Sequence, residues 1–155
     1  MRVFIPTFIV VILDQLTKLW IRDNYSLFES RNIIGDFLRF SYVENPGIAF
    51  GIQLGNLKVL VTIISIAIAL YLAFILYNSK KLVQIEKLSL SLILGGAVGN
   101  LIDRILIYIP NSTYGGVVDF IDVGFSQHRW FIFNIADSAV TIGIICYLFY
   151  ATFIE

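Results

Sequence analysis

Four apolar runs, at residues 3–20, 59–77, 88–109 and 130–154, constrain this chain more than any other feature. Each is close to the roughly 20 residues that a helix needs to cross a bilayer. In lipid a backbone must satisfy its own N–H and C=O groups, so an open run of this length is read as a helix. Composition agrees. Hydrophobic residues make up 58% of the chain and charged residues 14%, whereas a soluble domain carries roughly 25% charged. Disorder, a disulfide scaffold and a free cytosolic enzyme are excluded. The 155 residues give room for a single domain, 1–155, predicted to be an all-α membrane protein with four transmembrane helices.

The first run opens like a signal peptide, with Arg2 before an apolar core. No small-x-small cleavage site follows, and Asp14, Gln15, Thr17 and Lys18 do, so it is read as a retained span. Lys80, Lys81 and Lys87 crowd the connector at 78–87, while Arg22, Arg31, Arg39 and Lys58 are spread over 21–58. This bias places both termini and the lysine connector in the cytoplasm, and 21–58 outside. Within that exterior segment Leu38, Phe40 and Tyr42 alternate with Arg39 and Ser41, which predicts a strand over 37–43. Asn45-Pro46-Gly47 then breaks it as a turn. The expected addition to the bundle is a small extracytoplasmic β-containing cradle on the membrane surface.

Eleven Lys+Arg balance eleven Asp+Glu, so no basic face is available for nucleic acid. The lone Cys146 lies in an apolar run and is read as a packed thiol. With His128 as the one histidine, a multi-histidine metal site is excluded and a Ser-His-Asp triad is disfavoured. Any chemistry falls to carboxylates, Lys, Ser or Tyr.

Alternating spans bring the end of the first, the end of the third and the start of the fourth to one membrane face. Asp14 and Lys18, then Asn100, Asp103 and Arg104, then Asn134, Asp137 and Ser138 all fall there, with Asp119 and Asp122 in the adjoining connector. A charge at mid-bilayer costs about 2.5–3.5 kcal/mol, so such a gathering calls for pairing, water access or function. Asp14 and Lys18 stand at i and i+4 and read as a structural pair. Gly95-x-x-x-Gly99 permits close approach of a neighbouring helix. Asn134 reads as a helix cap with Asp137 in the first turn, and Asn134, Asp137, Ser138 and Thr141 form one polar stripe.

The simplest reaction open to these groups is hydrolysis by two carboxylates. Two neighbouring aspartates do not both ionise cheaply, so one keeps a proton while the other activates water. Asp137 is one member on this reading; Asp103, Asp119 and Asp122 remain contenders for the other.

Asp14-Gln15-Leu16-Thr17-Lys18, Asn45-Pro46-Gly47-Ile48-Ala49-Phe50-Gly51, Gly95-Gly96-Ala97-Val98-Gly99-Asn100-Leu101-Ile102-Asp103-Arg104, Val117-Val118-Asp119-Phe120 and Phe133-Asn134-Ile135-Ala136-Asp137-Ser138 together resemble the bacterial lipoprotein signal peptidases (signal peptidase II). The resemblance implies a four-span aspartic endopeptidase of the bacterial cytoplasmic membrane with its active site at the extracytoplasmic face. It would cleave diacylglyceryl-modified prolipoproteins before the lipidated cysteine. By motif match the catalytic pair is Asp119 and Asp137; Asn45, Asn100 and Arg104 help hold the substrate backbone; Asp14 and Asn134 support the site. Lys18, Gly47, Asp103 and Ala136, in the same blocks, join them as binding or supporting positions. Water is the nucleophile, so no cofactor and no metal are implied. The implied partners are prolipoproteins, membrane lipid and globomycin-type inhibitors, and a monomer is expected. Residues 107–114 make a longer approach to the Val-Val-Asp block than this family usually has. The rival class is a small transporter or proton conductor relaying ions through Asp14, Asp103 and Asp137, although such sites usually lie near the midplane.

Overall fold

The computed structural model describes residues 2–46 and 58–154. Among these residues, four helices are long and apolar enough to cross a membrane. These are α1 (Ile5–Asn24), preceded by a 3-10 turn at Arg2–Phe4, α2 (Lys58–Tyr77), α3 (Gln84–Leu106) and α4 (Ile135–Phe153). Pro6 starts α1 where its missing N–H costs nothing. The Glu86 carboxylate accepts the Val83 N–H at 2.9 Å at the start of α3. Phe8, Ile12 and Leu16 on α1, Leu70 and Phe74 on α2, and Leu148 and Phe149 on α4 remain exposed. Apolar surface of this extent on helices of this length suits a lipid environment.

Helix α3 is the central element, packing on α1, α2 and α4. Its glycines allow this. A Cβ on Gly96 would stand 2.2 Å from the Ala136 carbonyl oxygen of α4, and one on Gly99 would stand 2.6 Å from Asp14 Oδ2 of α1. Backbones therefore approach closely where the polar groups lie. Helix α2, with no acidic residue and one charge at its first position, packs on α3 through Ala69, Leu76 and Leu94.

Among the described residues four strands, β1 (Ser30–Ile34), β2 (Leu38–Asn45), β3 (Val117–Phe125) and β4 (His128–Arg129), form one antiparallel sheet in that order. The strand anticipated at 37–43 is β2, ending at Asn45; Gly47 of the expected turn lies outside the described residues. The clean alternation anticipated there is interrupted. The β2–β3 register shifts between Phe40 and Val43, and the adjacent Ser41 and Tyr42 are both buried at this bulge. Ser41 bonds Asp122 and Ser30, while Tyr42 packs with Ile21, Tyr25, Val118 and Phe120 beneath the sheet. The sheet is not confined to the segment after the first span. The stretch read as an exterior connector carrying Asp119 and Asp122 is its third strand. Helix α4 starts at Ile135 rather than in the apolar run at 130, because Trp130 donates its N–H to the Val123 carbonyl and Phe133 bridges to Ile121.

Candidate active site

Where α1, α3, the start of α4 and the β2–β3 edge meet, a continuous hydrogen-bonded network is buried. Its base is Lys18, whose Nζ lies 2.8 Å from Asp14 Oδ2, 2.9 Å from Asp103 Oδ2 and 2.9 Å from Asn100 Oδ1. Lys18 is 1% exposed, Asp14 0% and Asp103 1%. A charge this deep requires full pairing, and here one ammonium serves two carboxylates. Those carboxylates also tie secondary structure together. Asp14 Oδ1 accepts the Ala136 N–H at 2.9 Å, and Asp103 Oδ2 accepts the Val118 N–H at 3.1 Å. Asp14 thereby fixes the start of α4 and Asp103 the start of β3, the two segments that carry Asp137 and Asp119.

Above this base sit two amides. Asn134 caps α4: its side-chain oxygen accepts the Asp137 N–H at 2.9 Å, and Asp137 Oδ2 accepts the Asn134 N–H at 3.2 Å. This reciprocal pattern satisfies donors that a helix start otherwise leaves open. The Asn134 amide also donates to Asp119 Oδ1 at 2.7 Å, while Asn100 Nδ2 donates to Asp137 Oδ1 at 2.8 Å. Asn134 Nδ2 and Asn100 Oδ1, 3.0 Å apart, join the two. Asp119 and Asp137 are thus held by a shared pair of asparagines. Asn45, at the end of β2, donates to the other Asp119 oxygen at 3.2 Å.

The aspartates differ in their counter-charges. Asp103 has Lys18, and Asp122 receives Arg129 Nε at 2.7 Å and the Ser41 hydroxyl at 3.1 Å. Among the described residues neither Asp119 nor Asp137 has a cation in ion-pair contact. Burial, and then the Asp137 charge, push the Asp119 carboxyl up to about 7, against the opposing pull of Asn45, Lys18 and Asn134. Asp119 therefore sits poised to hold or release a proton near neutral pH. Arg104, half-buried on α3, feels the charges of Asp137, Asp103 and Asp119 and lines a narrow cleft with Asn45, Lys58 and Thr62. A cavity of about 280 Å³ opens beside Asp137, walled by Trp130, Phe131, Phe133, Ser138 and Thr141.

A sequence model of the family described as signal peptidase (SPase) II matches residues 6–153. The chain belongs to the signal peptidase II family. It is therefore a membrane-embedded peptidase. The lipoprotein signal peptidase of Clostridium tetani is 46% identical over 87% of this chain and 82% of its own. That of Syntrophomonas wolfei is 42% identical over 92% of this chain and 87% of its own. Two solved structures described as bacterial membrane enzymes match with TM-scores of 0.82, at 32% and 33% identity, covering 99% of this chain and 92% and 94% of theirs.

Within this signal peptidase II chain, the candidates at Asp14, Lys18, Asn45, Asn100, Asp103, Arg104, Asp119, Asn134, Ala136 and Asp137 gather at one end of the bundle, and Gly47 lies outside the described residues. The polar stripe on α4 is shallower than its spacing suggests. The Ser138 and Thr141 hydroxyls bond back to the Asn134 and Asp137 carbonyls, and Thr141 is exposed. Gln15, present in the first block, is not among the site residues read from the sequence, yet its amide reaches Asp14, the Gly99 carbonyl and Asp103. An uncharged amide inside an apolar run beside Asp14 was the available signal. A second network was also missed. Arg22 pairs with Glu44 and lies 3.7 Å over the Tyr114 ring, and Glu44 accepts from Tyr42 and the Gly115 N–H, fastening the approach to β3 onto β2.

Proposed function

We propose that this protein removes the signal peptide from diacylglyceryl-modified prolipoproteins, cutting before the lipidated cysteine as an aspartic endopeptidase. The dyad is Asp119 and Asp137. The observation that carries this reading is the Asn134–Asn100 bridge, which ties together two buried or half-buried aspartates that, among the described residues, are in no ion pair. The pair carries one proton, which Asp119 holds increasingly as the pH falls below about 7, and Asp137 is the base. Asp137 takes a proton from water, and the hydroxide oxygen bonds to the scissile carbonyl carbon. Asp119 meanwhile gives its proton to the carbonyl oxygen. On collapse the C–N bond breaks, the Asp137 proton passes to the leaving nitrogen and Asp119 regains its own. Asn45, Arg104 and Asn100 hold the substrate backbone, Gly47 is a further binding or supporting position, and Asp14, Lys18, Asp103, Asn134 and Ala136 keep the dyad in place.

The protein lies in the bacterial cytoplasmic membrane with both termini inside and the dyad at the extracytoplasmic face. The charge bias of the connectors supports that orientation. The cavity beside Asp137 would take an apolar part of the substrate next to the scissile bond. All these side chains come from one chain, which suits a monomer, and globomycin-type peptides would compete for the same space.

A gel-shift assay on a lipidated precursor, with and without globomycin, tests the proposal. Wild type should release the signal peptide in a globomycin-sensitive way, while Asp119→Asn and Asp137→Asn should bind precursor without cutting it. Normal turnover by either variant would overturn the dyad. Ion flux in sealed vesicles without cleavage would favour the transporter reading.

A further inference from the structure

A cavity of about 720 Å³ opens at the end of the bundle away from the aspartates, between the start of α1, the end of α2 and the start of α3. This volume is within the range of roughly 300–1,000 Å³ typical of small-molecule sites. Its walls are two-toned: Phe4, Leu76 and Leu88 supply apolar surface, and Arg2 and Lys87 supply positive charge. The cavity is a formed one, because the Thr7 hydroxyl donates to the Ser91 carbonyl at 2.8 Å and the Ser91 hydroxyl to the Val3 carbonyl at 2.6 Å. Among the described residues neither Arg2 nor Lys87 has an ion-pair partner. Lys80 and Lys81 lie in the adjoining 3-10 turn, and the neighbouring Glu86 carboxylate turns one oxygen to the Val83 N–H and is in no ion pair among the described residues.

We propose that this cavity binds an anionic glycerophospholipid of the surrounding membrane. Its phosphodiester would sit between Arg2 and Lys87, and one acyl chain would run along Phe4, Leu76 and Leu88. The argument is charge and polarity in register with the bilayer. The cavity lies at the ends of helices that are membrane-spanning in length, so its cationic rim falls at headgroup level and its apolar wall at the start of the acyl region. Basic pockets between transmembrane helices are suited to anionic headgroups. A free phosphate would use the cations and leave the apolar wall idle. The inference is independent of the dyad, since its readout is bound lipid rather than cleavage.

The test is native mass spectrometry of the detergent-purified full chain, titrated with dioleoyl phosphatidylglycerol, dioleoyl phosphatidylcholine or inorganic phosphate. Phosphatidylglycerol should be retained in preference to phosphatidylcholine. Removing each cation should weaken it about fivefold, and Arg2→Gln with Lys87→Gln together roughly 25-fold. Leu88→Trp, which fills the apolar wall and leaves both cations, should weaken it as well. Arg31→Gln on the distant sheet should leave binding unchanged, and unaltered melting temperatures show that the variants are folded. Equal retention of the two lipids, undiminished binding by the double variant, or displacement of phosphatidylglycerol by inorganic phosphate would overturn the proposal.

Discussion

Asp119→Asn should exchange activity for stability in a pH-dependent way. The Asp119 carboxyl, 4% exposed, is moved from its ordinary 3.8 to about 7, first by burial and then by Asp137. Because its affinity for a proton is higher in the folded state, the associated stability is intact below the unfolded value and is lost as pH rises towards 7. At about 1.36 kcal/mol per pH unit, the whole window is worth at most about 4 kcal/mol, of which about 2 kcal/mol falls between pH 5.5 and 8. An asparagine cannot ionise, so it escapes this loss. It also presents one acceptor where Asp119 presents two, to Asn134 and to Asn45, and gives up one hydrogen bond worth about 1 kcal/mol at any pH. Relative to wild type, the variant should therefore gain about 2 kcal/mol between pH 5.5 and 8. For a chain of this size that is roughly 4–8 °C in melting temperature. The assay is thermal unfolding in detergent at both pH values and one scan rate, alongside precursor cleavage, which should be absent at both. A melting difference that stays constant between the two pH values would refute the claim that Asp119 is held protonated by burial and by its partner.

Three other substitutions probe the supports. Gly96→Ala places a methyl against the Ala136 carbonyl; it should cost about 1–3 kcal/mol in thermal unfolding and lower turnover about 100-fold by displacing α4. Lys18→Met leaves Asp14 and Asp103 without their shared cation and should cost about 3–5 kcal/mol, with partial recovery of melting temperature on adding Asp103→Asn. Asp122→Asn weakens only the link to Arg129 and Ser41; it should reduce stability by about 1–3 kcal/mol and keep precursor cleavage within a few-fold of wild type, whereas a loss as deep as that of Asp119→Asn would mean that the wrong acid of β3 has been assigned.

The four helices were legible because an apolar run of membrane length has few alternatives in lipid, and the approach at Gly95 and Gly99 because small residues at i and i+4 leave room for a neighbour. The Asn134–Asp137 cap was legible because it is local, its partners three residues apart. Everything that depended on distant partners was not. Asp103, Asp119 and Asp122 look alike along the chain. What separates them is that one meets Lys18 of α1, one meets Arg129 of β4, and one meets the amides of Asn134 and Asn45. The start of α4 was hidden for a related reason. Residues 130–133 are apolar enough to extend a span, but the open edge of β3 offers their backbone a partner first. The bulge at Ser41 and Tyr42 likewise follows from the pairing of β2 with β3, which periodicity within one strand does not encode.

Single-turnover cleavage of a lipidated precursor by Asp119→Asn, Asp137→Asn and the double variant addresses the mechanism most directly. Two groups that share one proton and one water act as a unit, so each single substitution should abolish cleavage as fully as both together. A double variant whose loss equals the product of two partial losses, or a single variant that still cuts at the wild-type rate, would contradict it.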